Sequence, residues 1–230
     1  MKSDLSNWKH VFKLDPDRYL DDVALDHICR SGTDAIIVGG SSGITYENTA
    51  ELLSRIRKHK IACALEVSDA EAIVSGFDLY FIPIVLNTND GTWITGQHHK
   101  ALREYGSILD FDIVVPEGYV ILNERSTVAQ VTDALIPESI EDLTAYALMA
   151  DRLFHMPIFY IEYSGIFGDM TWVREARAAL GDTKLFYGGG IRSREQALAA
   201  MEAADTIVVG NIIYENISLA LATVPEQRKA

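Results

Sequence analysis

The chain has 230 residues, 48% of them hydrophobic and 23% charged, which suits one large α/β domain with a sizeable core. Lys and Arg number 20 against 33 Asp and Glu, a net charge of −13, so nucleic-acid backbone is excluded as a natural partner and an anionic small ligand would need local donors or a metal. No apolar run reaches the roughly 18 residues of a membrane span. The polar start from Met1 to His10 lacks the apolar core of a signal peptide. Cys29 and Cys63 match no metal or redox spacing and read as reduced thiols of a cytoplasmic protein.

In chain order, Val11, Phe12 and Leu14 predict a first strand, stopped by Pro16. Lys13 and Asp15 share a parity there and so point to one face. A helix capped by Asp21 or Asp22 runs to Arg30, with Val23, Leu25 and Ile28 as its apolar positions. Residues 34–40 predict a second strand, continuously apolar as a parallel strand covered on both faces would be. Ser41 follows it, and Thr45 caps a helix to about Lys58. Ile61 to Val67 predicts the third strand and Phe77 to Leu86 the fourth, with Pro83 as a bend. The gap between them is short for a crossover helix, so the third helix is a stub or an irregular loop. A helix spans Trp93 to Tyr105; its adjacent His98 and His99 diverge and predict no shared metal. Gly118 to Leu122 predicts the fifth strand, Asn123 to Pro137 a polar insertion, and Ser139 to Phe154 a helix. The sixth strand, from Pro157, ends in Tyr160-Ile161-Glu162-Tyr163-Ser164-Gly165. A helix from Met170 to Leu180 leads to the seventh strand, which runs into Gly188, Gly189 and Gly190. Ser193 caps the next helix, Thr206 to Val209 is the eighth strand, and Gly210-Asn211 follows. A last helix spans Glu215 to Val224, and the tail from Pro225 is expected to fray.

Eight strands, each followed by a helix or a helix-sized segment, predict a single (β/α)8 TIM barrel over residues 1–230 with a short or degenerate third helix. In such barrels chemistry sits at the C-terminal strand ends, and the loops after strands seven and eight form a phosphate cradle. That mouth would gather Lys13, Asp15, Ser41, Tyr160, Glu162, Tyr163, Ser164, the three glycines, Gly210 and Asn211. Asp15 and Ser41 carry the hard oxygens that Mg²⁺ accepts. Glu162, a carboxylate among aromatics, is the least ordinary of these residues: a charge there needs a partner or a task.

Several motifs together resemble one family. Phe12-Lys13-Leu14-Asp15-Pro16, Val38-Gly39-Gly40-Ser41, Tyr160 through Gly165, Phe186-Tyr187-Gly188-Gly189-Gly190-Ile191 and Val209-Gly210-Asn211 are similar to the geranylgeranylglyceryl phosphate synthases, and most like the bacterial PcrB-type heptaprenylglyceryl phosphate synthases. The resemblance runs from Trp8 to Val224. It implies a homodimeric barrel that transfers a prenyl group from a long-chain prenyl diphosphate to sn-glycerol 1-phosphate with Mg²⁺. It further implies that Lys13 contacts glycerol phosphate, and that Asp15 and Ser41 hold the metal at the diphosphate. Tyr160, Ile161, Glu162, Tyr163, Ser164 and Gly165 would line the acceptor, Gly190, Gly210 and Asn211 would bind its phosphate, and Glu162 would take the hydroxyl proton. Ala101, where archaeal relatives place a bulky aromatic, would leave the tail channel open to a heptaprenyl rather than a geranylgeranyl donor. The lipid product implies peripheral contact with a membrane. Two other readings stand beside this one: an FMN-binding barrel oxidoreductase using the same cradle, and a non-catalytic sensor of a phosphate ligand.

Overall fold

In a computed structural model, which describes residues 5–226, eight parallel strands pair in sequence order and close on one another. Residues 227–230, part of the tail expected to fray, lie outside the described range. The repeat runs β1 (His10–Leu14), α1 (Asp22–Arg30), β2 (Ala35–Val38), α2 (Tyr46–Ile56), β3 (Ala62–Glu66) and β4 (Leu79–Val85). It continues through α3 (Gln97–Tyr105), β5 (Val114–Ile121), α4 (Thr127–Thr132), α5 (Ile140–Leu148) and β6 (Ile158–Glu162). It ends with α6 (Met170–Ala179), β7 (Lys184–Gly188), α7 (Arg194–Ala203), β8 (Thr206–Val209), α8 (Ile212–Glu215) and α9 (Ile217–Ala222).

The period of two along each strand divides the core in two. Phe12, Leu14, Ile36, Val38, Ile161 and Tyr187 face outward and pack under the helices. Val11, Ile37, Ala64, Phe81, Tyr160 and Phe186 face inward and fill the barrel. Both faces are covered, which is why the strands read as unbroken apolar runs. The helices start where polar caps allow: the Asp21 side chain accepts from Ala24 N at 2.8 Å, and Thr45 forms a capping box with Asn48. Leu25 and Ile28 anchor α1, whereas Val23, expected on the same apolar face, is exposed.

The short third crossover is as expected, and four other expectations are revised. Only a single turn, Ala70–Ala72, stands between β3 and β4, so the third helix is a stub. Pro83 lies inside β4, opposite Glu117; its missing N–H is tolerated in the ladder rather than bending the strand out of it. β5 begins at Val114, ahead of Gly118, because Pro116 and Glu117 obscure a strand whose neighbours bury them. The insertion after β5 holds α4, capped by Ser126 and closed by Asp133 in a left-handed conformation (φ 48°). The last helix is two pieces, since Asn216 ends α8 and caps α9 through Leu219 N at 3.1 Å.

Candidate active site

A cavity of about 550 Å³ opens at the C-terminal ends of the strands. Its floor is charged. Lys13 on β1 reaches across to Glu66 on β3, Nζ to Oε1 at 2.5 Å, and lies 5.9 Å from the centre of the Tyr160 ring. Glu162 on β6 is buried; its Oε2 accepts from the Tyr119 hydroxyl at 2.9 Å and its Oε1 from Ser164 N at 2.5 Å. Burial raises the Glu162 carboxyl above the ordinary carboxylate range, and the Lys13 charge and the bonds from Ser164 and Tyr119 only partly offset that. Burial alone would lower the Lys13 ammonium, but Glu66, Glu162 and Glu117 outweigh it and hold the group charged. Deeper, Glu117 is fully buried and neither of its oxygens has a hydrogen-bond partner. Burial and the neighbouring Glu66 push its carboxyl well above the ordinary carboxylate range. The Tyr160 ring stacks on Tyr119 at 4.7 Å, and its hydroxyl lies buried without a partner.

The cradle side is shaped by close approach. A Cβ on Gly188 would sit 2.2 Å from the Tyr160 hydroxyl. Gly190 has φ +47° and a Cβ there would lie 2.3 Å from the Ile166 backbone, so only glycine suits this turn. Gly165 and Gly210 face the same cavity with Asn211, whose Oδ1 accepts from Arg18 Nη1 at 3.1 Å. Ser193 caps α7, accepting from Gln196 N at 3.3 Å.

Beside the cradle, in the loops after β1 and β2, stand Asp15 and Ser41. The Asp15 Oδ1 accepts from Asp17 N at 2.9 Å, and the carboxylate abuts Gly40, where a Cβ would come within 2.7 Å. Burial raises this carboxyl, the Asp17 backbone bond lowers it, and the Asp17 charge raises it again. A branch of the cavity then leads over Pro83 and Val85 to Trp93, Gln97 and His98, and across to Val128 and Val131. The His98 ring bonds the Pro83 carbonyl at 3.0 Å through Nε2.

The cavity thus gathers Lys13, Asp15, Ser41, Tyr160, Glu162, Ser164, Gly165, Gly190, Gly210 and Asn211. Ile161 and Tyr163 do not line it: their parity turns them outward, into the layer between barrel and helices. Ala101 lies one turn beyond Gln97 on α3, outside the lining. Sequence reading passed over Glu66, Glu117, Tyr119 and Arg18. Parity could have flagged the glutamates, since a charged residue at an inward position of a barrel strand is unusual.

The fold and the mouth define a (β/α)8 barrel with an anion cradle facing a buried carboxylate and an apolar side branch. The chain belongs to the PcrB family, whose profile matches residues 3–228. It is 54% identical to heptaprenylglyceryl phosphate synthase of Bacillus mycoides over 96% of each chain. The protein of the same name from Bacillus cereus is 53% identical, again over 96% of each. Among solved structures, (S)-3-O-geranylgeranylglyceryl phosphate synthase of Thermoplasma acidophilum, in complex with sn-glycerol-1-phosphate, superposes with a TM-score of 0.81 at 26% identity, over 96% of this chain and 94% of that one.

Proposed function

We propose that this protein joins the heptaprenyl group of heptaprenyl diphosphate to the 3-hydroxyl of sn-glycerol 1-phosphate and releases diphosphate, as the names of its relatives state for them. The observation that carries the reading is Glu162: a buried carboxylate oriented by Tyr119 and Ser164, in the same cavity as Lys13 and the glycine cradle. The cradle of Gly190, Gly210 and Asn211 takes the acceptor phosphate and sets the hydroxyl against Glu162. The hydroxyl oxygen bonds to the allylic carbon, the bond from that carbon to the diphosphate oxygen breaks, and the hydroxyl proton passes to Glu162. Lys13 faces the negative charge that collects on the substrates' phosphates. The apolar branch past Trp93 suits a long tail.

Magnesium suits the Asp15 and Ser41 corner. Mg²⁺ takes one or two carboxylates and draws its other ligands from substrate phosphates and water, and Asp15 beside Gly40 offers one such carboxylate. When bound, Mg²⁺ neutralises charge on the leaving group. We read the protein as a cytoplasmic homodimer that meets a membrane at its surface; among the described residues no helix is long and apolar enough to cross one.

The deciding experiment is incubation with sn-glycerol 1-phosphate, Mg²⁺ and a ladder of prenyl diphosphates, followed by mass analysis of the product. A heptaprenylglyceryl phosphate is expected, and the absence of product at every donor length defeats the reading. Sn-glycerol 3-phosphate in parallel reads the stereochemical preference.

A further inference from the structure

The cations at the mouth are not equivalent. Lys13 is held by Glu66, and Arg192 is held by Glu215. Arg125 and Arg18 also line the cavity; Arg18 has no carboxylate in ion-pair contact among the described residues, although its charge acts on Asp15. Its guanidinium lies 3.9 Å above the Tyr214 ring, a stacking that the planar group favours. The Tyr214 platform is fixed in turn: its hydroxyl accepts from Asp15 N at 2.7 Å and donates to Asp15 O at 3.2 Å. The Arg18 backbone is pinned by its own N–H to Asp15 O at 3.1 Å. An unpaired cation is therefore held in place at the edge of an anion cradle.

Its one hydrogen bond sets a second donor. Arg18 Nη1 donates to Asn211 Oδ1 at 3.1 Å, and an arginine can only donate. That contact fixes which end of the Asn211 amide is oxygen. The amide nitrogen is thereby turned to the opposite side, toward Gly165, where it lies 3.8 Å from the position of a Cβ. Gly165 is itself part of the cavity wall.

We propose that Arg18 is a further acceptor-binding residue: its guanidinium and the Asn211 amide that it orients form one wall that recognises the phosphate of the acceptor. This rests on the reading of the cradle as the glycerol phosphate site. A dianion facing that wall forms an ion pair with the guanidinium, donor and acceptor both charged, that a neutral polyol cannot form, so Arg18 sets the preference for a phosphorylated acceptor over free glycerol.

The test is binding of sn-glycerol 1-phosphate by calorimetry, with steady-state kinetics, for the wild type, Arg18→Gln, Arg18→Lys, Asn211→Ala and the double variant Arg18→Gln/Asn211→Ala. Arg18→Gln should weaken acceptor binding and raise its KM about tenfold to a hundredfold, the range of a lost hydrogen bond to a charged group, with donor KM within about twofold. Arg18→Lys should fall between, keeping the charge and losing the fork and the stack. The double variant should lose much less than the product of the two single losses, because Arg18 acts partly through Asn211. Unchanged acceptor affinity in Arg18→Gln, or a rise in donor KM alone, overturns the proposal; the second result would move Arg18 to the diphosphate. Unaltered thermal unfolding of Arg18→Lys keeps the test clear of misfolding. A wild type that binds no glycerol phosphate would sink the underlying reading instead, which is a separate result.

Discussion

Glu162 and Glu117 are both buried glutamates of the barrel interior, yet their surroundings separate them. Glu162 has two donors and a nearby ammonium; Glu117 has no hydrogen-bond partner. The first has the partners that let it ionise and take a proton, while burial favours the neutral form of the second. Glu162→Gln should cut prenyl transfer by about two to four orders of magnitude, the usual contribution of a general base, and leave calorimetric binding of glycerol phosphate intact; unchanged turnover would remove the base assignment. The acid limb of kcat/KM should also lie above pH 4.5, because the Glu162 carboxyl is raised from that value. For Glu117 the linkage runs through stability. Its folded pKa exceeds the unfolded 4.5, so its favourable contribution is complete below about that pH and is lost as pH rises through the folded value. Glu117→Gln should therefore raise the Tm at pH 8 and bring no gain at pH 4, as thermal melts across that range would show.

At the level of elements, legibility followed apolar continuity. β1, β2, β6, β7 and β8 stand out because both faces of each are covered, and their positions alone placed Lys13, Asp15, Glu162 and the glycines at one mouth. The start of β5 was hidden by Pro116 and Glu117, and α4 by its shortness within a polar stretch. The pairing of Lys13 with Glu66, 53 residues away, was not legible at all, because it depends on the stagger of the strands around the barrel. Likewise Arg18 reads as a surface residue until Tyr214 and Asn211 come beside it. The α3 helix has no buried residue of its own, and the His98 bond to Pro83 is a polar tie between it and the barrel. Ala101 lies on it outside the cavity wall, so a bulky side chain there would act only on a tail that runs past Gln97 and His98. Ala101→Trp should shift the preferred donor from heptaprenyl toward geranylgeranyl diphosphate in competition assays read by product mass; an unaltered preference would place the gate elsewhere along the branch.

Over the whole molecule, the β1–β8 ladder closes the barrel, and a buried polar seam lies beside it. His10 opens β1, with Nδ1 2.9 Å from the Thr33 hydroxyl and Nε2 2.9 Å from that of Thr223. It thus ties the first strand to the turn before β2 and to the end of α9. Burial lowers the His10 imidazole from 6.5 to about 3. Its folded pKa is depressed, so its contribution is present above pH 6.5 and is lost as pH falls from there toward 3. Acid should therefore loosen the barrel as a unit, in the direction opposite to Glu117. His10→Gln should be less stable than the wild type at pH 7 and should show a shallower fall in Tm between pH 6.5 and pH 4.

The contact between Tyr160 and Gly188 also ties the choice of residue on the sixth strand to that on the seventh. The tyrosine hydroxyl occupies the space of the missing Cβ, 2.2 Å from where it would stand, and the ring carbons follow at 2.9 and 3.0 Å. Any side chain arriving first at 188 must displace an aromatic packed on both Tyr119 and Phe186, at a cost of about 1–3 kcal/mol. The two positions are thus coupled: a side chain fits at 188 without that cost only when the residue at 160 is smaller.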